Sequence, residues 1–206
     1  MRLYDFPFSP NSRKVRAVAY ELDIAFEPIP VDLVRGEQRG AAFLARNPMG
    51  RVPLLEDGDL LLWESTAIVR YLAAGSELVP RQRRAAAEVD RWTAWQLAHL
   101  APAMSKVAFE RIVKPLTRQG APDQAVIDAG SAEFAAVSAV LDQALADKAY
   151  VAGSLSIADF ALAAHYSLAE TCALDVSRFP RLESWLARMV ARRSMVRALA
   201  DARVPS

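Results

Sequence analysis

The sequence predicts an α/β domain followed by an all-α domain, on two observations. The composition changes near residue 80: residues 1–80 hold seven of the 12 prolines and five of the eight glycines, the residues that punctuate strands and turns. Beyond that point the chain is alanine-rich and its apolar residues recur at helical spacing. The order of elements also differs between the halves. The first reads β-α-β and then α-β-β-α, which is the thioredoxin-like order, and the second contains few strand signals. A chain of 206 residues can bury a core in each of two small domains. The expected boundaries are 1–77 and 83–206.

Each element has its own warrant. Leu3 and Tyr4 start a short strand. Val15, Val18, Ala19 and Leu22 fall on one helical face. Phe26 to Val31 reads as a strand whose two prolines suit an edge. This strand–helix–strand order implies a parallel pair with a right-handed crossover. A polar loop with glycine follows, then a helical patch at Ala41 to Ala45. Val52 to Leu55 and Leu60 to Trp63 flank an Asp-Gly pair, a hairpin signal. Ser65 to Ala74 reads as a helix with Ala67, Ile68, Tyr71 and Leu72 as its apolar face. Helical patterns then run over Arg83 to Val113, with Pro102 as a kink or turn end, and over Asp123 to Leu145. Shorter ones cover Ser156 to Leu168, Pro180 to Ala191 and Met195 to Ala202. Pro180 stands where a proline at the first helical position would.

Composition excludes several functions. The formal net charge is +1 with 24% charged residues, which gives no electrostatic case for nucleic acid or an anionic membrane surface. No segment approaches the ~18 uninterrupted apolar residues of a spanning helix. The first ten residues have no apolar core of a signal peptide, so a cytoplasmic location is expected. The one cysteine, Cys172, excludes an internal disulfide framework and a CxxC redox motif.

Three segments can carry chemistry. Ser9-Pro10-Asn11-Ser12-Arg13-Lys14-Val15 joins the first strand to the first helix. A helix start favours an anion, and a serine hydroxyl there can donate to a thiolate and raise its nucleophilic fraction. Alone, the segment reads first as a helix cap with Pro10 behind it. In Arg51-Val52-Pro53, a cis bond would present the Val52 backbone to a peptide-like ligand. An ordinary proline at a strand start is the other reading. At Glu64-Ser65 the carboxylate can meet an α-amino group, and the hydroxyl with the helix N–H groups can hold an α-carboxylate. A simple cap fits there as well. Together the three are more specific, because each lies at a junction where ligands of α/β sheets bind.

With these motifs the chain resembles the glutathione transferases over nearly its whole length, and the phi class most. Asn47-Pro48-Met49-Gly50-Arg51-Val52-Pro53-Leu54-Leu55-Glu56-Asp57-Gly58 is similar to the family's NP-x-G-x-VP-x-L-x-DG stretch. Glu64-Ser65-Thr66-Ala67-Ile68 is similar to its ES-x-AI motif, and Ser156-Ile157-Ala158-Asp159 to its S-x-AD motif. Ser9 to Val15 fits the phi serine loop, Gly36-Glu37-Gln38-Arg39 a glutathione-contacting loop, and Phe109 to Pro115 a helical segment of the class. Gln38 stands where phi proteins often carry histidine.

The resemblance implies a glutathione transferase with a detoxification role. Glutathione is its co-substrate, without metal or other cofactor. Ser9 would activate the thiol. Gln38, Arg39, Arg51, Val52, Pro53, Glu64 and Ser65 would bind glutathione, with Val52 pairing its backbone to the cysteinyl part and Glu64 and Ser65 taking the γ-glutamyl end. Met104, Phe109, Ile112 and Val113 would line the pocket for an apolar electrophile. A homodimer is implied, with Met49 matching an apolar key residue. Ser12 and Tyr4 are rival thiol activators. A non-enzymatic interaction protein, or a glutathione-dependent dehalogenase or isomerase, is the alternative function. Elsewhere His99 and His165 lack metal-ligand spacing, Trp92 and Trp95 read as a packed stripe, and Ser156 with Asp159 has capping-box spacing, so Asp159 is expected to be structural.

Overall fold

The computed structural model describes residues 1–201. They divide into two units, Met1–Val79 together with the described residues from Ala191 on, and Pro80–Val190.

The first unit begins with β1 (Arg2–Asp5), α1 (Pro10–Glu21) and β2 (Glu27–Pro30). A 3-10 turn at Glu37–Arg39 and α2 (Ala41–Leu44) lead to β3 (Leu54–Asp57), β4 (Leu60–Trp63) and α3 (Ser65–Leu72). The sheet order is β2-β1-β3-β4. β1 pairs parallel with β2, while β3 is antiparallel to both β1 and β4. This is the expected thioredoxin-like arrangement. The prolines of β2 stand on an edge strand, where a missing ladder donor is tolerated. Gly58, at φ +62°, turns the hairpin. Leu3, Leu54 and Leu55 of the sheet are buried with Val15, Val18 and Ala19 of α1 and Ile68 and Val69 of α3.

The α3 face differs from expectation, and the burial of α1 extends beyond its expected face of Val15, Val18 and Ala19. In α3, Ala67 and Tyr71 are exposed and Val69 is inside, as is Ala73 just past its end. The Tyr71 hydroxyl donates to Asp57 at 2.7 Å, so its ring stays at the surface. In α1 the eight residues from Ser12 to Ala19 are all buried, Arg13, Lys14 and Arg16 included. Periodicity assigns such charges to solvent.

In the second unit, α4 (Arg83–Trp95), α5 (Ala101–Ala108) and α6 (Lys114–Thr117) are joined by π turns at Gln96–Leu100 and Phe109–Val113. Each π turn ends two residues before a proline, Pro102 and Pro115. A proline withdraws one N–H from the helical ladder, and wider π spacing absorbs the disruption without ending the helix. Next come α7 (Gln124–Ala144), α8 (Ile157–Tyr166) and α9 (Pro180–Val190). Asp123 caps α7 by accepting from the Ala125 and Val126 N–H groups. By length and a mean hydropathy of 1.2, α7 could cross a membrane. However, it carries Asp128, Glu133 and Asp142, and Asp142 accepts from the Arg181 and Leu182 N–H groups at the start of α9. It is therefore a helix of this unit.

The last helix, α10 (Arg193–Ala200), belongs to the first unit, whereas the sequence reading carried the helical domain through 206. Glu21 of α1 accepts from Arg192 and from Ser194, the latter at 2.5 Å. Asp201 accepts from Arg16 at 2.7 Å and from the Tyr20 hydroxyl at 2.6 Å. These long-range pairs hold α10 on α1 and leave no trace in local patterning. Ala202, the expected end of this helix, lies outside the described residues.

Candidate glutathione site

Register brings the three candidate segments to one end of the sheet. Tyr4 of β1 faces Leu54 of β3, which faces Trp63 of β4. The antiparallel pairings put the end of β1, the start of β3 and the end of β4 side by side. The Ser9 loop, Val52-Pro53 and Glu64-Ser65 continue the chain from those three points. A hydrogen bond ties two of them together: the Ser65 hydroxyl donates to Asn11 Oδ1 at 3.2 Å.

Ser9 is the N-cap residue of α1, with Pro10 at the first helical position. Its backbone is fully used, the N–H on Phe6 O at 2.8 Å and the C=O under Arg13 N at 2.9 Å. Its hydroxyl makes no cap bond, so half-exposed Ser9 keeps a donor at a helix start. Ser12 is different. It is fully buried, and its Oγ accepts from the Phe6 N–H at 3.3 Å, which fixes the loop that presents Ser9. The Tyr4 hydroxyl is also committed, donating to Glu56 Oε2 at 3.0 Å and accepting from Arg46.

The Val52–Pro53 bond is cis, and the pair precedes β3 outside its ladder. Asn47, nearly fully buried, shapes the approach. Its Nδ2 donates to Arg51 O at 2.6 Å, and its Oδ1 accepts from the Met49 N–H at 3.0 Å. Gly50, at φ +58°, lies so close to the Gln38 carbonyl that an added Cβ would sit 3.1 Å from it. The Gln38-Arg39 turn thus packs on the loop leading to Val52. Gln38 Oε1 is buried with no hydrogen-bond partner among the described residues, an acceptor in need of a donor. Arg39 and Arg51 are exposed.

Glu64 takes φ +70° and ψ +104° at the start of α3. A non-glycine residue held there is strained, and such strain collects at ligand sites. Its side chain is exposed, while Ser65 is buried at its side. Beneath them Lys14 is fully buried and donates from Nζ to Thr66 Oγ1 at 3.0 Å. Burial pulls the Lys14 ammonium down to about 7, and the Glu64 carboxylate opposes that fall. Asn11, Lys14 and Thr66 were missed as contributors in the sequence. An asparagine and a lysine in an N-terminal helical turn read as solvated, and only the α1–α3 packing shows otherwise. The arrangement offers an anion two helix starts, a hydroxyl donor and a carboxylate for an ammonium group.

In the second unit, Phe109, Ile112 and Val113 lie on one π turn, with Phe109 and Val113 exposed and Ile112 half-buried. Met104, the fourth residue expected there, is buried in the helical core. Asp159 is fully buried and accepts from the N–H groups of Val151 and Ser156 at 3.0 Å, the Ser156 hydroxyl at 3.1 Å and Trp185 Nε1 at 3.1 Å. Burial pushes its carboxyl up and these four donors pull it down. No substrate group is needed to explain it. His165 is buried with its ring nitrogens near Ala161 O and Gln96 Nε2. Cys172 is a buried small side chain whose thiol is pushed up by burial.

A thioredoxin-like unit with an unspent serine hydroxyl at one sheet end, followed in the chain by a helical unit, defines the two-part class that the motifs resemble. The comparisons make the assignment. Residues 1–74 match the family model of the glutathione S-transferase N-terminal domain, and residues 124–188 that of its C-terminal domain. Glutathione S-transferase 3 of Zea mays is 35% identical over 100% of this chain and 96% of its own. Glutathione transferase F7 from Populus trichocarpa superposes with a TM-score of 0.91 at 32% identity, over 98% of this chain and 99% of that one. Glutathione S-transferase I from mais, solved with an atrazine glutathione conjugate, superposes at 0.89 with 27% identity, over 100% of this chain and 99% of that one. The chain belongs to the glutathione S-transferase family, and its plant relatives are of the phi class.

Proposed function

We propose that the protein binds glutathione along this sheet end and directs its thiolate at an electrophilic carbon of an apolar small molecule. The observation that carries the reading is the Ser9 hydroxyl, left unspent at the start of α1 while that of Ser12 is buried and committed. The thiol loses its proton to solvent, and Ser9 donates to the resulting sulfur anion. The free thiol pKa of ~8.5 must fall by one or two units, about 1.4 kcal/mol each, which one such donor and a helix end can supply. The sulfur–carbon bond then forms, by addition or with departure of a leaving group and its electron pair. Val52 supplies backbone to the cysteinyl part, with Pro53 setting its orientation. Glu64 and Ser65 receive the γ-glutamyl amino and carboxylate groups. Gln38, Arg39 and Arg51 serve the glycyl end. Phe109, Ile112 and Val113 offer apolar surface to the electrophile, and buried Met104 supports it from the core. The mais relative's atrazine conjugate is a product of this reaction type. Glutathione is a co-substrate and no metal or prosthetic group takes part. We place the protein in the cytoplasm, as a homodimer with a detoxifying role.

The test is a pH–rate profile of Ser9→Ala and Ser12→Ala with a generic aromatic electrophile. Ser9→Ala should cut turnover roughly 10- to 1000-fold, the loss of one oriented donor, and regain activity at alkaline pH. Ser12→Ala should lower stability by about 1 kcal/mol, one hydrogen bond's worth, with the profile unshifted. Full turnover in Ser9→Ala with a shifted profile in Ser12→Ala would transfer the role to Ser12. An inactive parent that still binds glutathione would favour an interaction protein.

A further inference from the structure

Lys14 has no place in the reaction outlined above, yet it is among the largest fully buried side chains of the protein. A lysine in the interior is costly unless its nitrogen is well paired, so its position calls for a reason. Its Nζ donates to Thr66 Oγ1 at 3.0 Å, in the first turn of α3. One turn earlier on α1, Asn11 Oδ1 accepts from the Ser65 hydroxyl at 3.2 Å. α1 therefore grips α3 on both Ser65 and Thr66, directly after Glu64, whose backbone sits at φ +70°. A non-glycine residue persists in that region only where its surroundings over-determine it. Among the described residues no hydrogen bond anchors the exposed Glu64 side chain, which feels Lys14 through charge. The two residues after it are anchored, and one of those anchors is Lys14.

We propose that Lys14 is a positioning residue for the γ-glutamyl end of glutathione: through Thr66 it holds the first turn of α3 so that Glu64 and Ser65 meet the ligand's amino and carboxylate groups. This rests on the reading of Glu64 and Ser65 given above. Lys14 touches neither the ligand nor the sulfur. Its loss should therefore be felt in the KM for glutathione and not in the chemical step.

The experiment compares glutathione with cysteinylglycine, which has the same thiol and glycyl end but no γ-glutamyl group. In Lys14→Met the KM for glutathione should rise roughly ten-fold, the scale of one hydrogen bond to a charged group. Turnover at saturating glutathione, its pH profile and kcat/KM for cysteinylglycine should stay near the parent's. Thr66→Val should reproduce the effect, Thr66→Ser should restore parent behaviour, and Lys14→Met with Thr66→Val should be no worse than either alone. If Lys14→Met fails to fold, the two Thr66 variants carry the test. Equal losses with both thiols, a shifted pH profile, or an unchanged KM for glutathione in Thr66→Val would overturn the proposal. A parent that does not prefer glutathione over cysteinylglycine would overturn the γ-glutamyl reading itself, and this proposal with it.

Discussion

Ser9 and Ser12 are three residues apart, and their hydroxyls have opposite fates because Ser9 is the extended N-cap residue just outside α1, whereas Ser12 lies buried in its first turn. Lys14 is buried as well, because α1 is covered on all sides from Ser12 to Ala19, and this has a measurable consequence for stability. In the unfolded chain Lys14 titrates near 10.5, whereas burial holds it at about 7 in the fold. Between those values the unfolded chain carries the extra proton. Stability from this group therefore rises with pH across that window, by up to about 1.4 kcal/mol per pH unit, and its penalty is complete below the folded value. Lys14→Met has no such group. Urea unfolding at neutral and alkaline pH should show the parent gaining on Lys14→Met as pH rises. A constant gap between the two would mean that Lys14 stays charged in the fold.

At the scale of elements, α1 is the member on which the first unit depends. Arg16 is buried and paired through two nitrogens with Asp5 at the end of β1, and it also reaches Asp201 beyond α10. Burial pushes the Asp5 carboxyl up while Arg16 draws it down. Arg16→Met should thus leave an uncompensated carboxylate and cost about 3–5 kcal/mol. Asp5→Asn together with Arg16→Met should recover part of that loss. Denaturant titration of the parent and both variants checks this, and a loss under about 1 kcal/mol in Arg16→Met would count against the pair as a structural tie. These elements also mark what was legible. Strand order, the hairpin at Gly58 and the proline edge of β2 follow from short-range patterning, and so do the Ser9, Val52 and Glu64 segments. The burial of Arg13, Lys14 and Arg16 on α1, the place of α10 and the Lys14–Thr66 tie do not. Each depends on a polar group being paired across many residues of chain, and hydrophobic periodicity carries no signal for that. The apolar face of α3 was misread for the converse reason, because Tyr71 satisfies its hydroxyl on Asp57 at the surface.

For the whole molecule the open quantity is assembly, and Met49 is where it can be tested. It is 53% exposed on a loop held rigid by buried Asn47, whose side chain bonds Arg51 O and the Met49 N–H. A flexible thioether on a rigid loop suits insertion into a pocket of a second copy. In a two-fold dimer the contact occurs twice. Burying one such side chain is worth about 1.5–3 kcal/mol, so loss of both should weaken association by more than a hundred-fold, about 3 kcal/mol or more. Sedimentation equilibrium at micromolar concentration should give a dimer for the parent and a shift toward monomer for Met49→Asp. The loop's hydrogen bonds run through its backbone and Asn47, so each Met49→Asp chain should keep the parent's circular dichroism. A monomeric parent would rule out the homodimer. A dimeric Met49→Asp of parent affinity would keep the homodimer and move its contact away from this loop.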